Sequence, residues 1–144
     1  MQFKECYQNP FIEERADPYI TLGPDGFYYF TASYPMKSAD DKDGYDRVIL
    51  RRAKDISELA SAEEITIWKV ADTTLTHRFI WAPELHYIAG RWYVFYAGSE
   101  DKENNWAFDC HVLVCDSDDP YTGTWSEKGK FQKREDDDFS FTGF

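Results

Sequence analysis

Two stretches of this chain repeat one another, and the repeat limits what the chain can fold into. The first copy runs Arg15-Ala16-Asp17-Pro18-Tyr19-Ile20, then a Pro24-Asp25-Gly26 turn, then Phe27-Tyr28-Tyr29-Phe30-Thr31-Ala32-Ser33. The second runs Trp81-Ala82-Pro83-Glu84-Leu85-His86-Tyr87-Ile88, then an Ala89-Gly90 turn, then Arg91-Trp92-Tyr93-Val94-Phe95-Tyr96-Ala97-Gly98. With Pro18 set on Pro83, Tyr28 falls on Tyr93, Phe30 on Phe95 and Ala32 on Ala97, a constant offset of about 65 residues. That period is long for one hairpin and suits a repeated all-β module. Each copy carries a carboxylate near its opening, Asp17 or Glu84. Acids at matched points of successive sheets point to a shared central site.

Each repeat holds four strands. Residues 17–22, 27–33, 46–53 and 65–70 read as the first set, with a turn or one helical turn over 54–60 and a polar loop over 34–45. The Pro24-Asp25-Gly26 turn has a mechanism: proline presets φ, and glycine takes the positive-φ position. Residues 71–78 are a polar connection. The second set begins with the paired strands of the second copy and continues over 110–115 and 124–131, with a polar loop over 99–105. Four strands, a linker and four strands again is the pattern of β-propeller blades. A single eight-stranded sandwich is the alternative, but sandwiches seldom repeat their sequence at a four-strand period. The expected boundaries are a lead-in over 1–14, one blade over 15–71, a second over 79–132, and the start of a further strand over 133–144. A propeller needs typically 4–8 blades. The expectation is therefore an incomplete domain whose uncovered faces allow self-association.

Composition narrows the function. Aromatic residues are 18% of the 144 and hydrophobic residues 42%, which excludes a disordered chain and suits flat surfaces that stack on ring-shaped ligands. The net charge of −11 leaves no basic footprint for nucleic acid or for an anionic membrane. Three cysteines, Cys6, Cys110 and Cys115, have no framework spacing. A zinc site with His77, His86 or His111 is conceivable but matches no ligand pattern, and reduced structural thiols are the preferred reading, with no metal and no cofactor. The first residues have no apolar signal core, and no run is long enough to span a bilayer. On those grounds the chain is expected to be cytoplasmic.

Several motifs in order carry a family resemblance: Asn9-Pro10, Arg15-Ala16-Asp17-Pro18, the run Tyr45-Asp46-Arg47-Val48-Ile49-Leu50-Arg51-Arg52-Ala53-Lys54, Ile80-Trp81-Ala82-Pro83-Glu84-Leu85-His86, and Asp119-Pro120-Tyr121-Thr122-Gly123-Thr124-Trp125. From residue 9 onward the chain resembles glycoside hydrolase family 43, most of all its exo-acting α-L-arabinofuranosidases. The resemblance implies a five-bladed propeller, of which this chain supplies about two four-stranded blades. It implies a carbohydrate substrate and inverting hydrolysis by three carboxylates, with Asp17 at the position of the general base. The general acid and a second, pKa-tuning Asp have no match in this chain, so the chain alone is expected to be inactive. The Trp-Ala-Pro-Glu motif lines the sugar pocket in that family, so Glu84 is not assigned as the acid. A channel metal, where family members have one, is held by a His on a late blade, also without a match.

Each candidate has a plainer role beside the functional one. An Asp before Pro, like Asp17, is a common strand-start residue. Arg15 could neutralise it, though neighbours on a strand face opposite sides. Trp81 is a sugar platform or core. Glu84 holds sugar hydroxyls or pairs with His86 or Arg78. Tyr34 and His77, on loops by the expected channel mouth, complete the substrate-binding set. The acidic run Asp136-Asp137-Asp138 reads as a solvated loop. Two non-enzymatic functions stay open: a carbohydrate-binding module and a propeller scaffold for protein partners.

Overall fold

The structure, a computed structural model, describes residues 9–38, 44–71, 74–100 and 107–131. The tail with its acidic run and alternate phenylalanines, Cys6, and parts of both long polar loops lie outside the described residues. Eight strands form, β1 (Ala16–Leu22), β2 (Tyr28–Ser33), β3 (Arg47–Ala53), β4 (Ile65–Lys69), β5 (Arg78–Ile88), β6 (Arg91–Ser99), β7 (Phe108–Cys115) and β8 (Trp125–Lys130). A 3-10 helix over Ile56–Ala60 joins β3 to β4, and Asp55 caps it by accepting from the Ser57 amide at 2.8 Å. The strands make two antiparallel four-stranded sheets, β1-β2-β3-β4 and β5-β6-β7-β8, each in chain order. That plain meander lacks the crossing connections of a Greek-key sandwich.

Two different turns start the sheets. Between β1 and β2 the Gly26 amide donates to the Gly23 carbonyl at 3.0 Å, and Gly26 then turns left-handed at φ 75°. Asp25 completes this turn by accepting from the Phe27 amide at 3.1 Å and from the Tyr29 hydroxyl at 2.6 Å. Between β5 and β6 only Ala89 and Gly90 separate the paired residues Ile88 and Arg91, with φ of 49° and 83°. Both central residues of that turn are left-handed, which suits glycine at the second position and strains alanine at the first.

The alternation of each strand sorts its side chains between two cores. Tyr29, Val48 and Leu50 of the first sheet meet Ile80, Leu85, Trp92, Val94, Tyr96 and Leu113 of the second in one shared cluster. Phe30, Ala32 and Ile49, one residue out of phase, face the other way with Leu59 of the 3-10 helix. The first sheet thus buries side chains on both faces, while Ile20 and Leu22 of β1 stay exposed. A fully buried Val, Leu, Ile or Phe contributes about 1.5–3 kcal/mol, whereas an exposed ion pair contributes about 0–1. The seam between the sheets is therefore held by burial. At one end of it Arg52 donates to Asp119 at 2.9 Å and lies over the rings of Phe27 and Tyr121, at 5.1 and 4.4 Å. His111 is buried in the second sheet with its ring stacked on Tyr96 at 5.4 Å, and burial holds its imidazole below the ordinary range.

One carboxylate ties the start of the chain to the far edge of the first sheet. Glu64 pairs with both Arg15 and Arg51, the latter at 3.0 Å. Burial alone would raise its carboxyl, but the hydrogen bonds and charges of Arg15, and then of Arg51, overcome that and hold it below the usual range. A lowered folded-state value means that this stability is present above the ordinary carboxylate range and is lost as the pH falls through it. Glu64→Gln is expected to cost about 1 kcal/mol near neutrality, after allowance for solvent screening, and to match the parent once both are acidified below that range. Urea midpoints measured across pH check it. Ala89→Asn is expected to raise the unfolding free energy by about 0.5–1 kcal/mol, read as a higher urea midpoint, because asparagine tolerates the left-handed conformation that alanine resists.

Candidate active site

The candidate site grows from a break in the first strand of each sheet. Proline has no N–H to give a ladder, so strands that contain it bend or bulge. In β1, two residues, Asp17 and Pro18, lie between the paired Ala16 and Tyr19, against one, Ala32, between Ser33 and Thr31 in β2. The surplus falls at Asp17-Pro18, where Asp17 is left-handed at φ 49°. In β5, two residues, Ala82 and Pro83, lie between the paired Trp81 and Glu84, against one, Tyr96, between Ala97 and Phe95, and Ala82 is left-handed at φ 44°. A second pair, Glu14 and Phe79, takes φ of 52° and 59° at the same repeat offset. The two copies thus agree in their unusual backbone conformations as well as in sequence. Asp visits this region readily; Ala does so at a cost of about 1–2 kcal/mol. Bulges of this kind re-aim a side chain and recur beside active sites.

Ser33 joins the two bulges. It is fully buried, and its Oγ accepts the Ala82 amide at 2.8 Å and donates to Asp17 Oδ2 at 3.0 Å. An amide can only donate and a carboxylate can only accept, so the direction of both bonds follows from the chemistry. Asp17 itself is exposed. A buried hydroxyl therefore holds one oxygen of an exposed carboxylate at the seam of two sheets. A further backbone bond, from the Ile80 amide to the Tyr45 carbonyl at 2.9 Å, closes the same seam.

The remaining candidates each have partners of their own, and among the described residues no hydrogen bond or ion pair joins His77 or Glu84 to Ser33 or Asp17. Trp81 is half-buried and stacks on Phe108 at 4.4 Å, with Tyr45 and Phe79 against its edges at 5.8 Å each. That aromatic group supports the indole from several sides. Glu84 Oε2 lies 3.0 Å from His86 Nε2, and the His86 ring rests between Tyr19 and Phe95 at 5.3 and 5.4 Å. Of the two partners expected for Glu84, His86 is therefore at hand. His77 sits just before β5, its amide donating to the Ser99 carbonyl at 2.9 Å. Tyr34 lies between two guanidinium groups, those of Arg15 and Arg47, 4.3 and 4.5 Å from its ring centre. Arg15 turns to Glu64 and Tyr34, so the hydrogen-bond partner of Asp17 is Ser33 instead.

Ser33 is the site residue that the repeat alone does not single out. A signal for it does exist. At the offset that aligns the other positions, Ser33 falls on Gly98. A Cβ at Gly98 would stand 2.7 Å from the Thr76 side chain, so the second copy has no room for a serine there. Among the described residues no three His, Cys, Asp or Glu side chains converge as a metal site. Cys110 and Cys115 are free, buried thiols; burial first, then the charges of Glu84 and Asp109, push Cys110 up to about 11.

Comparison with known proteins gives this geometry a context. The family model for glycosyl hydrolases family 43 matches residues 7–141. The chain is 43% identical over 124 residues to an extracellular exo-α-(1→5)-L-arabinofuranosidase of Streptomyces avermitilis, covering 86% of this chain and 24% of that enzyme. A Streptomyces chartreusis enzyme of the same name matches at 43%, over 86% of this chain and 35% of its own length. The crystal structure of an α-L-arabinofuranosidase from Lactobacillus brevis superposes with a TM-score of 0.74 at 39% identity, covering 88% of this chain and 39% of that one. The chain thus spans between a quarter and two fifths of these relatives. Two of them are extracellular enzymes, which overturns the cytoplasmic expectation. The physical reason is simple: the lack of an apolar signal core in the first residues says nothing of compartment in a chain that spans so small a part of its relatives.

The clamp on Tyr34 yields a test. Tyr34→Phe keeps the ring and is expected to stay within about 0.5 kcal/mol of the parent. Tyr34→Ala removes the ring that both guanidinium groups lie over and is expected to cost about 1–2 kcal/mol. Thermal melts of the two variants check both values.

Proposed function

This chain belongs to glycosyl hydrolases family 43, and on that premise we propose that it is part of a glycosidase that removes terminal α-L-arabinofuranosyl groups from plant hemicellulose or arabinan oligosaccharides. Terminal β-xylosyl linkages are the second substrate class that the resemblance allows. The enzyme is a five-bladed propeller. Residues 15–71 and 79–132 supply two of its blades. A chain of two blades leaves faces bare and is prone to associate with itself.

Asp17 is the general base. Inversion needs one carboxyl group to protonate the leaving oxygen and a carboxylate on the opposite face of the sugar to activate water, about 6.5–9.5 Å apart. The observation that carries this assignment is the bulge before Pro18. It turns Asp17 out of the β1 ladder while Ser33 holds Oδ2 at 3.0 Å. Such a carboxylate is both accessible and oriented, and a base needs both properties. Trp81 offers the sugar a flat face, and Glu84 offers its hydroxyls an acceptor. Tyr34 and His77 belong to the rim of the same pocket.

The general acid lies on another blade, so this chain by itself releases nothing. With an aryl α-L-arabinofuranoside, the 144-residue chain is expected to show no measurable turnover. Asp17→Asn in the complete protein is expected to lose about 10²–10⁴-fold in kcat. The product of the active protein should first be seen by proton NMR as the β-anomer. Retention of the α-anomer, or robust turnover by the short chain, would overturn this mechanism.

A further inference from the structure

We propose that Ser33 is a positioning residue for the reaction, tying the general base of the first sheet to the sugar-pocket strand of the second. The inference rests on Asp17 as the base. Ser33 is fully buried, so it acts through the residues it bonds, not by contact with a sugar.

The geometry leaves the hydroxyl one arrangement. The Ala82 amide, at 2.8 Å, uses the oxygen as acceptor, and Asp17 Oδ2, at 3.0 Å, takes its only hydrogen. Both bonded partners are residues of a bulge, both are left-handed, and both precede a proline. In β1 the residue opposite Ser33 is Ala16, so the serine lies at the base of the bulge it restrains. A bulged carboxylate without that bond would rotate about its side-chain torsions, and its free oxygen would point at water only part of the time. The chain from Ala82 through Ser33 to Asp17 also links Trp81 and Glu84, on either side of the Ala82-Pro83 pair, to the base. Sugar seated on β5 and water activated at β1 are thereby held in one register.

A misplacement of this order costs activity rather than affinity. In the complete protein, Ser33→Ala is expected to lower kcat about 10- to 100-fold while KM stays within about twofold. Ser33→Thr keeps the hydroxyl and is expected to recover most of that loss. Ser33→Cys keeps the volume with a weaker donor and is expected to stay near Ser33→Ala. If Ser33→Ala fails to fold, the Thr and Cys pair decides the matter, and equal kcat in those two overturns the positioning role. So does a Ser33→Ala kcat within about twofold of the parent, or a loss confined to KM. Asp17→Asn, assayed alongside, separates the two readings. If it is inactive while Ser33→Ala is normal, the base stands and the positioning role falls. If it stays active, the base itself is overturned.

Discussion

Two prolines, Pro18 and Pro83, set the terms for the molecule. Each sits in the first strand of its sheet, where its missing N–H breaks the ladder and forces one extra residue into the chain. In each case the surplus is absorbed by the residue before proline turning left-handed. Two strained points of this kind need restraint from outside their own strands. A single buried serine supplies it to both at once, and so fixes how the sheets meet where the exposed carboxylate stands.

Around that small polar contact the energetics are ordinary. The shared cluster of Tyr29, Val48, Leu50, Ile80, Leu85, Trp92, Val94, Tyr96 and Leu113 removes far more apolar surface from water than any hydrogen bond at the seam can match. Burial decides that the sheets adhere; the Ser33 hydroxyl and the Ile80–Tyr45 backbone bond join them at the seam. Ion pairs do a third job. Glu64 with Arg15 and Arg51 pins the start of β1 to the outer part of its own sheet, and Arg15 and Arg47 grip Tyr34. Both of these arginines near the first bulge are thus already engaged, which leaves a neutral hydroxyl as the partner of Asp17.

Much of this was legible in the residues. The matched positions Tyr28 and Tyr93, Phe30 and Phe95, Ala32 and Ala97 located both hairpins, and the alternation of Val48 and Leu50 located β3, because strand periodicity is local. The Asp-Pro and Ala-Pro pairs were visible too, but their left-handed conformations follow only from the register of a partner strand. Arg15 was a reasonable neighbour for Asp17 on sequence distance. Its guanidinium instead reaches a residue on the far side of the sheet, which no local rule anticipates. The compartment does not follow from the first residues, whose lack of an apolar core carries no information about it, and two similar enzymes are extracellular.

The order of the residues therefore determined the strands, the turns between them, the two broken opening strands and the carboxylate placed in the first break. Each of these depends on chemistry within a few positions along the chain. What only the folded arrangement decided was which groups meet across the gap between sheets and across each sheet: Ser33 with Ala82 and Asp17, Glu64 with Arg15, Trp81 with Phe108. Those pairs lie far apart in the chain, and the choice among them was made by the packing of two buried faces, which no single stretch of sequence contains.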